Sequence, residues 1–103
     1  MATRQVRLSD QAALDLEAIY RWQTQPGAGT AALRRLKSIA AALRRLRRTP
    51  CLYAKGEKPG TREASVEGHR VVYRVDPDTG HNATAGDVLV LRVFGPGQDR
   101  PTA

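Results

Sequence analysis

The chain has 103 residues, the size of one small domain, and this length excludes an enzyme with a separate cofactor module. Seventeen Lys and Arg residues against ten Asp and Glu residues give a net charge of +7, which favours an anionic partner such as nucleic acid, a ribosome or an acidic protein. A single cysteine, Cys51, cannot form an internal disulfide, and the sequence has neither a zinc-ligand cluster nor a long apolar run. We therefore expect a cytoplasmic protein with no metal, no cofactor and no membrane contact.

The start of the chain predicts a short strand and a helix. Residues 4–8 alternate in polarity, and Ser9 followed by Asp10 is typical of a helix start, because a hydroxyl oxygen accepts from free amides and a carboxylate stabilises the positive end of the helix dipole. We expect this helix over 10–25, before the break at 26–29. Asp15 should point outward. The core-facing positions follow three- and four-residue spacing: Ala12, Leu16, Ile19, Tyr20 and Gln23.

A second, basic helix is predicted over 30–48, with Thr30 as its cap. Its apolar stripe consists of Leu33, Leu36, Ile39, Ala40, Leu43 and Leu46. The rest of its surface is cationic, since no Asp or Glu occurs between Glu17 and Glu57. Two interpretations stay open for this surface: it follows a nucleic-acid backbone, or it is a solvated face or one that docks an acidic partner segment.

The second half of the chain predicts three strands, over 61–67, 70–75 and 87–94, with polar loops at 51–60 and 76–86. The expected fold is α+β, with the order β-α-α-β-β-β and a helical hairpin packed on one face of a small antiparallel sheet. Residues 1–103 should form a single domain, with an ordered core over about 4–94 and a tail over 95–103.

Alternation along the strands sorts the side chains onto two faces of the sheet. The apolar sets are expected to face the helices: Val71, Tyr73 and Val75 on one strand, Leu89, Leu91 and Val93 on the other. Arginines on the remaining face form a candidate anion-binding or target-binding site: Arg62, Arg70, Arg74 and Arg92. The alternative is a solvated outer face paired with Glu63, Glu67 or Asp87.

Other side chains carry weaker signals. His69 follows Gly68 at a predicted turn, where a histidine is usually exposed. Tyr73 is expected in the core, and Trp22 is expected to fill the core or form part of an interface. Cys51 has no neighbouring base, and we assign it no nucleophilic role.

Three segments together resemble the RelE/ParE superfamily of bacterial toxins. They are Gly60-Thr61-Arg62-Glu63, the run from Gly68 to Val75, and the run from Val88 to Val93. The spacing of Leu8, Ser9, Ala12, Asp15, Leu16 and Ile19 and the Leu46-x-x-x-Pro50 end of the second helix fit the same pattern, so the resemblance covers about residues 6–100.

The resemblance implies the toxin of a type II toxin–antitoxin module, held inactive by a cognate acidic antitoxin. RelE-like members cleave mRNA on the ribosome without metal, whereas ParE-like members poison DNA gyrase. In a RelE-like protein the matching catalytic candidates would be Arg70, Arg62 and His69, with His69 in place of the usual tyrosine. The basic residues of the second helix are candidate antitoxin contacts: Arg34, Lys37, Arg44, Arg45 and Arg48.

The end of the last strand favours the ParE-like action. RelE-like nucleases have a basic pair and a later tyrosine there, whereas this chain continues with Gly95, Pro96 and Gly97 and has no later aromatic residue. Arg100 is the only basic residue after that strand. A nuclease built on this sequence would therefore lack a second basic clamp and an evident general base.

Overall fold

The computed structural model describes residues 4–96. In chain order the elements are β1 (Val6–Leu8), α1 (Asp10–Gln23), α2 (Gly29–Arg45), β2 (Arg62–Val66), β3 (His69–Asp76) and β4 (Asp87–Phe94). The order β-α-α-β-β-β and the α+β class are as predicted from the sequence. Residues 97–103, which hold Arg100 and most of the expected tail, lie outside the described part of the chain.

Helix α1 begins at the predicted cap and packs one narrow stripe against the sheet. The Ser9 Oγ accepts from the amide of Ala12 at 3.0 Å and donates to the carbonyl of Leu91 at 2.9 Å, so the cap also fastens the helix to β4. Ala12, Ile19 and Gln23 are buried. Tyr20 is 60% exposed, so its assignment to the stripe is wrong. It lies about 80° around the helix from Ala12 and therefore outside the stripe formed by Ala12, Ile19 and Gln23.

Helix α2 begins without a side-chain cap. Ala28 is the residue before its first turn and makes no side-chain hydrogen bond, so the prediction of Thr30 as a cap is wrong. Ala32, Ile39 and Ala42 are buried, as is Leu46 just beyond the helix. Leu33 is 52% exposed, and Ala40 is exposed, because both lie on the flank of the helix rather than on the contact line.

The sheet has the strand order β1-β4-β3-β2. Strands β2, β3 and β4 are antiparallel neighbours, but β1 pairs with β4 in parallel, so the sheet is mixed rather than purely antiparallel. The parallel pairing follows from the connection, since the whole helical hairpin and two strands separate β1 from β4 along the chain. Strand β1 covers only Val88–Val90 of its neighbour.

A β-bulge in β4 changes which of its side chains face the helices. Val72 pairs with Arg92 and Tyr73 pairs with Val90, which leaves Leu91 as the extra residue. Val88 and Val90 are therefore buried with Tyr73, and the prediction that Leu89 and Leu91 face the helices is wrong. Beyond the bulge the alternation is restored, so Val93 faces the core and Arg92 does not.

The core lies between the hairpin and this inner face of the sheet. It joins Ile39 and Leu46 of the hairpin side to Val71, Tyr73 and Val90. The buried Tyr73 hydroxyl donates to the carbonyl of Pro50 at 2.7 Å, and burial raises its pKa to about 12. This hydrogen bond links the segment that follows α2 to the inner face of the sheet. No helix in residues 4–96 has the length and apolar character needed to cross a bilayer.

Candidate functional site

The open face of the sheet, turned away from the helices, carries two arginines on β3. In register, this face consists of Glu63, Ser65, Arg70, Val72, Arg74, Leu89, Arg92 and Phe94. The Arg70 side chain is 39% exposed, and its Nη1 lies 3.2 Å from Oε1 of Glu63. Arg74 is exposed and forms no ion pair within residues 4–96. Arg74 is therefore the open-face cation most available to an external anion.

Arg92 lies on the same face but is already neutralised. Its Nε is 2.8 Å from Oδ2 of Asp15, and its guanidinium lies 4.6 Å from the centre of the Phe94 ring. The amide of Val93 donates to the same carboxylate oxygen at 2.9 Å. Burial alone would raise the pKa of Asp15, but the hydrogen bonds from Arg92, Val93 and Gln11 outweigh it and lower the pKa. Asp15 is thus half-buried and engaged, and the expectation that it points outward is wrong.

Arg62 lies on the opposite face from Arg70 and Arg74. It pairs with Tyr73 in register, is only 6% exposed, and grips Asp78 with two hydrogen bonds, Nε to Oδ2 at 2.8 Å and Nη2 to Oδ1 at 2.9 Å. Its Nη1 donates to the carbonyl of Tyr53 at 2.7 Å. The hydrogen bonds with Asp78 raise the pKa of Arg62 and hold the pKa of Asp78 at about 2. The expected grouping of Arg62 with the open-face arginines does not form.

His69 is buried rather than exposed at a turn. The hairpin turn has only two residues, Glu67 and Gly68, both with positive φ, so β3 already begins at His69. His69 is 1% exposed, and its Nδ1 donates to the carbonyl of Glu67 at 3.1 Å. The alternation that buries Val71 and Tyr73 extends back to His69, a signal that the sequence contained.

A cavity of about 570 Å³ lies beside His69. It is bordered by α1, the first half of α2, the start of β3 and the residues that follow β4. Its walls include Ile19, Trp22, Arg35 and Pro96 in addition to His69. Trp22 is 68% exposed, so it borders this opening and does not fill the core. The Nη1 of Arg35 donates to Oε1 of Gln23 on α1 at 3.4 Å. Arg35 was not singled out from the sequence, because this contact is what distinguishes it from the other six basic residues of the second helix.

The three catalytic candidates are not brought together. Arg70 is on the open face, whereas Arg62 and His69 are on the face that meets the helices. Arg62 on β2 lies opposite Tyr73, and Tyr73 is four residues along β3 from His69, a distance of about 13 Å. One phosphodiester could not touch all three side chains. Within residues 4–96 there is no group of three His, Cys, Asp or Glu residues able to hold a metal ion.

The outer surface of α2 carries five cations in two groups, about two helical turns apart. We call this surface the basic ridge, and its cations are Arg34, Lys37, Arg44, Arg45 and Arg48. All five residues are exposed, and none of them forms an ion pair in the described part of the chain. Arg48 continues the row beyond the helix because its amide donates to the carbonyl of Arg45 at 3.0 Å in a final tight turn.

A strand, a helical hairpin and a three-stranded meander, joined by parallel pairing of the first and last strands, define the RelE/ParE-like α+β fold. The sequence profile described as "ParE toxin of type II toxin-antitoxin system, parDE" matches residues 6–99. The chain belongs to this family of ParE toxins. No curated protein matches the sequence.

Three solved structures share the fold at low sequence identity. The chromosomal ParDE toxin–antitoxin system from P. aeruginosa superposes with a TM-score of 0.67 at 21% identity, covering 91% of this chain and 97% of that chain. The RelBE2 toxin–antitoxin complex from Mycobacterium tuberculosis gives 0.60 at 22% identity, covering 91% and 99%. The YoeB dimer from Staphylococcus aureus gives 0.57 at 20% identity, covering 90% and 97%. The TM-scores establish the shared fold, whereas identities this low leave the action on the target open.

Proposed function

We propose that this toxin arrests growth when it is free of its antitoxin, and that it acts in the cytoplasm by binding DNA gyrase rather than by cleaving mRNA. The observation that carries the proposal is the separation of the three nuclease candidates onto two faces of the sheet. Arg62 is fully engaged by Asp78, and His69 faces the helices. General acid–base catalysis needs its groups within hydrogen-bond reach of one reacting atom, and Arg70 has neither Arg62 nor His69 beside it.

Binding to a target needs less than catalysis does. Arg74 is exposed and has no carboxylate partner within residues 4–96. Arg70 is paired with Glu63, but its side chain remains 39% exposed. Both lie on the open face of the sheet, where Phe94 is the neighbour of Arg70 on β4 and Leu89 is the neighbour of Arg74. Their guanidinium groups can bind carboxylate or phosphate oxygens there. We infer that these two side chains contact the target, and that Arg92 supports the surface while it remains bound to Asp15.

The proposal is tested with purified toxin in two assays run side by side. In a supercoiling assay with purified gyrase, the toxin should block the introduction of supercoils in proportion to its concentration. In a translation assay, mRNA on ribosomes should stay intact at the same concentrations. Normal supercoiling at saturating toxin would refute the gyrase proposal. Ribosome-dependent mRNA cleavage that is lost in Arg70→Ala would replace it with the RelE-like nuclease.

We further propose that a small acidic antitoxin is encoded beside this chain and neutralises it. Two of the structural neighbours are toxin–antitoxin complexes, and the net charge of +7 suits an acidic partner. Co-expression of the adjacent reading frame should restore growth, and the two chains should co-purify. Continued growth arrest in the presence of that product would show that it is not the antitoxin.

A further inference from the structure

The basic ridge is a rigid feature of the fold. At about 100° per residue, its five positions fall within an arc of roughly 100° on the side of α2 opposite the buried residues. Ala32, Ile39 and Ala42 are buried, and Ile39 belongs to the core shared with the sheet, so the cations project away from that core. Between Arg34 and Arg48 the ridge is about 21 Å long at 1.5 Å per residue.

Within residues 4–96, no acidic side chain neutralises the charge of the ridge. No acidic residue occurs anywhere between Glu17 and Glu57, and α2 has none in its first turn. Like charges three and four residues apart repel each other and cost helix stability. An exposed row of this kind is therefore unfavourable for the isolated fold, and an external polyanion would relieve it.

The surroundings of the ridge favour phosphate groups over an acidic polypeptide. Four of its five cations are arginines, whose planar guanidinium groups bind phosphate and carboxylate oxygens alike, so the distinction rests on the side chains around them. A protein partner would require an apolar centre to its interface, and the only large apolar side chain exposed on α2 is Leu33 at the flank. No aromatic residue is available in α2 for base stacking.

We propose that the basic ridge binds the sugar–phosphate backbone of duplex DNA, without reading its sequence. A 21 Å length of duplex carries about six phosphates on each strand, enough to pair with all five cations. This binding would be an activity separate from gyrase inhibition, since the ridge lies on the helical hairpin and the proposed target contacts lie on the open face of the sheet. Either proposal can fail while the other stands.

The test is the salt dependence of binding, measured by fluorescence anisotropy with a labelled 24-base-pair duplex of arbitrary sequence and with a labelled 24-nucleotide RNA. Five neutralised phosphates predict a slope of log K against log salt of about −4.5 on duplex DNA and about −3.5 on single-stranded RNA. Affinity for the duplex should fall about 500-fold between 50 and 200 mM salt. We expect tighter binding to the duplex than to the single-stranded RNA, because the duplex has the higher density of phosphates.

A matched pair of triple variants separates the ridge from net charge. Arg44→Gln, Arg45→Gln and Arg48→Gln remove three ridge cations, and the duplex slope should fall to about −1.8. The control, Arg7→Gln, Arg21→Gln and Lys58→Gln, removes the same charge from exposed positions off the ridge and should keep most of the wild-type slope. Circular dichroism melting confirms that both variants are folded.

Three results would overturn the proposal. The first is no binding of the duplex at 50 mM salt, or weaker binding to the duplex than to the RNA. The second is an equal loss of slope in the ridge variant and the control, which would reduce the effect to overall charge. The third is displacement of the duplex by polyglutamate at equal charge concentration, which would make the ridge a surface for an acidic polypeptide, in agreement with the antitoxin contact predicted from the sequence.

Discussion

Arg62 and Asp78 form a bidentate ion pair, with both carboxylate oxygens of Asp78 accepting from the guanidinium at 2.8 and 2.9 Å. The pair joins β2 to the long loop between β3 and β4, and Arg62 adds a hydrogen bond to the carbonyl of Tyr53. An arginine that fits the family pattern in sequence thus has a structural role in this chain.

Replacing Asp78 with Asn should destabilise the protein strongly. The variant leaves a 6% exposed guanidinium without its counter-charge, a change that costs about 3–5 kcal/mol in buried pairs. Urea unfolding followed by circular dichroism measures the loss. Asp76→Asn is the control, because Asp76 is exposed and its substitution changes the net charge by the same amount. Equal stability of the two variants would contradict the structural role of the pair.

The same pair predicts a loss of stability in acid. The Asp78 pKa is about 2 in the folded state, below its value of about 3.9 in an unfolded chain. Its contribution is present above about pH 5 and is lost progressively as the pH falls through 4 and then through 2, a total of about 2–3 kcal/mol. Unfolding free energies measured at several pH values should show this fall in the wild type. The fall should be smaller in Asp78→Asn, and identical slopes would refute the assignment.

Open-face arginines should affect gyrase inhibition without affecting stability. Arg74→Gln removes an exposed cation that has no ion pair among residues 4–96, so the free energy of unfolding should change by less than about 0.5 kcal/mol while inhibition weakens several-fold. Arg70→Gln should behave similarly apart from the loss of its contact with Glu63.

Arg62→Gln provides the contrast for these two variants. It should lower stability first, and any loss of inhibition should follow the unfolded fraction. Full inhibition by a double Arg70→Gln and Arg74→Gln variant would exclude the open face as the target contact.

Gly86 should not tolerate a side chain. A Cβ placed there would lie 1.9 Å from the carbonyl oxygen of Asp76 and 2.4 Å from Cδ of Pro77, so the backbone at the base of the loop would have to move. Gly86→Ala is therefore expected to lower the melting temperature severely. Gly80→Ala is the comparison, since Gly80 has a φ of +79° but nothing within 4 Å of the added atom. We expect a cost of about 1–2 kcal/mol there from the left-handed conformation alone.

Much of the architecture could be predicted from the sequence because periodicity and caps are local signals. Ser9 marked the start of α1 correctly, and the alternation of Val71, Tyr73 and Val75 identified the inner face of β3. The faces of β4 before the bulge could not be predicted, since nothing in the run from Val88 to Val93 shows that Leu91 is the extra residue.

The candidate site was harder to predict because its key partners are distant in sequence. Asp78 is 16 residues from Arg62, and Asp15 is 77 residues from Arg92. Composition showed that arginines were abundant but could not show which of them already had carboxylates. His69 was misplaced for a local reason, because a two-residue turn rather than a longer one decides where β3 begins.

The short reach of β1 has a consequence for behaviour at high concentration. Strand β1 covers β4 only as far as Val90, and an uncovered strand edge is a template for joining other molecules into aggregates. On the uncovered part, Asp15 of the first helix accepts from the Val93 amide and places a carboxylate where a foreign strand would have to dock. The Asp15 carboxylate therefore hinders the pairing of a foreign strand with this part of β4.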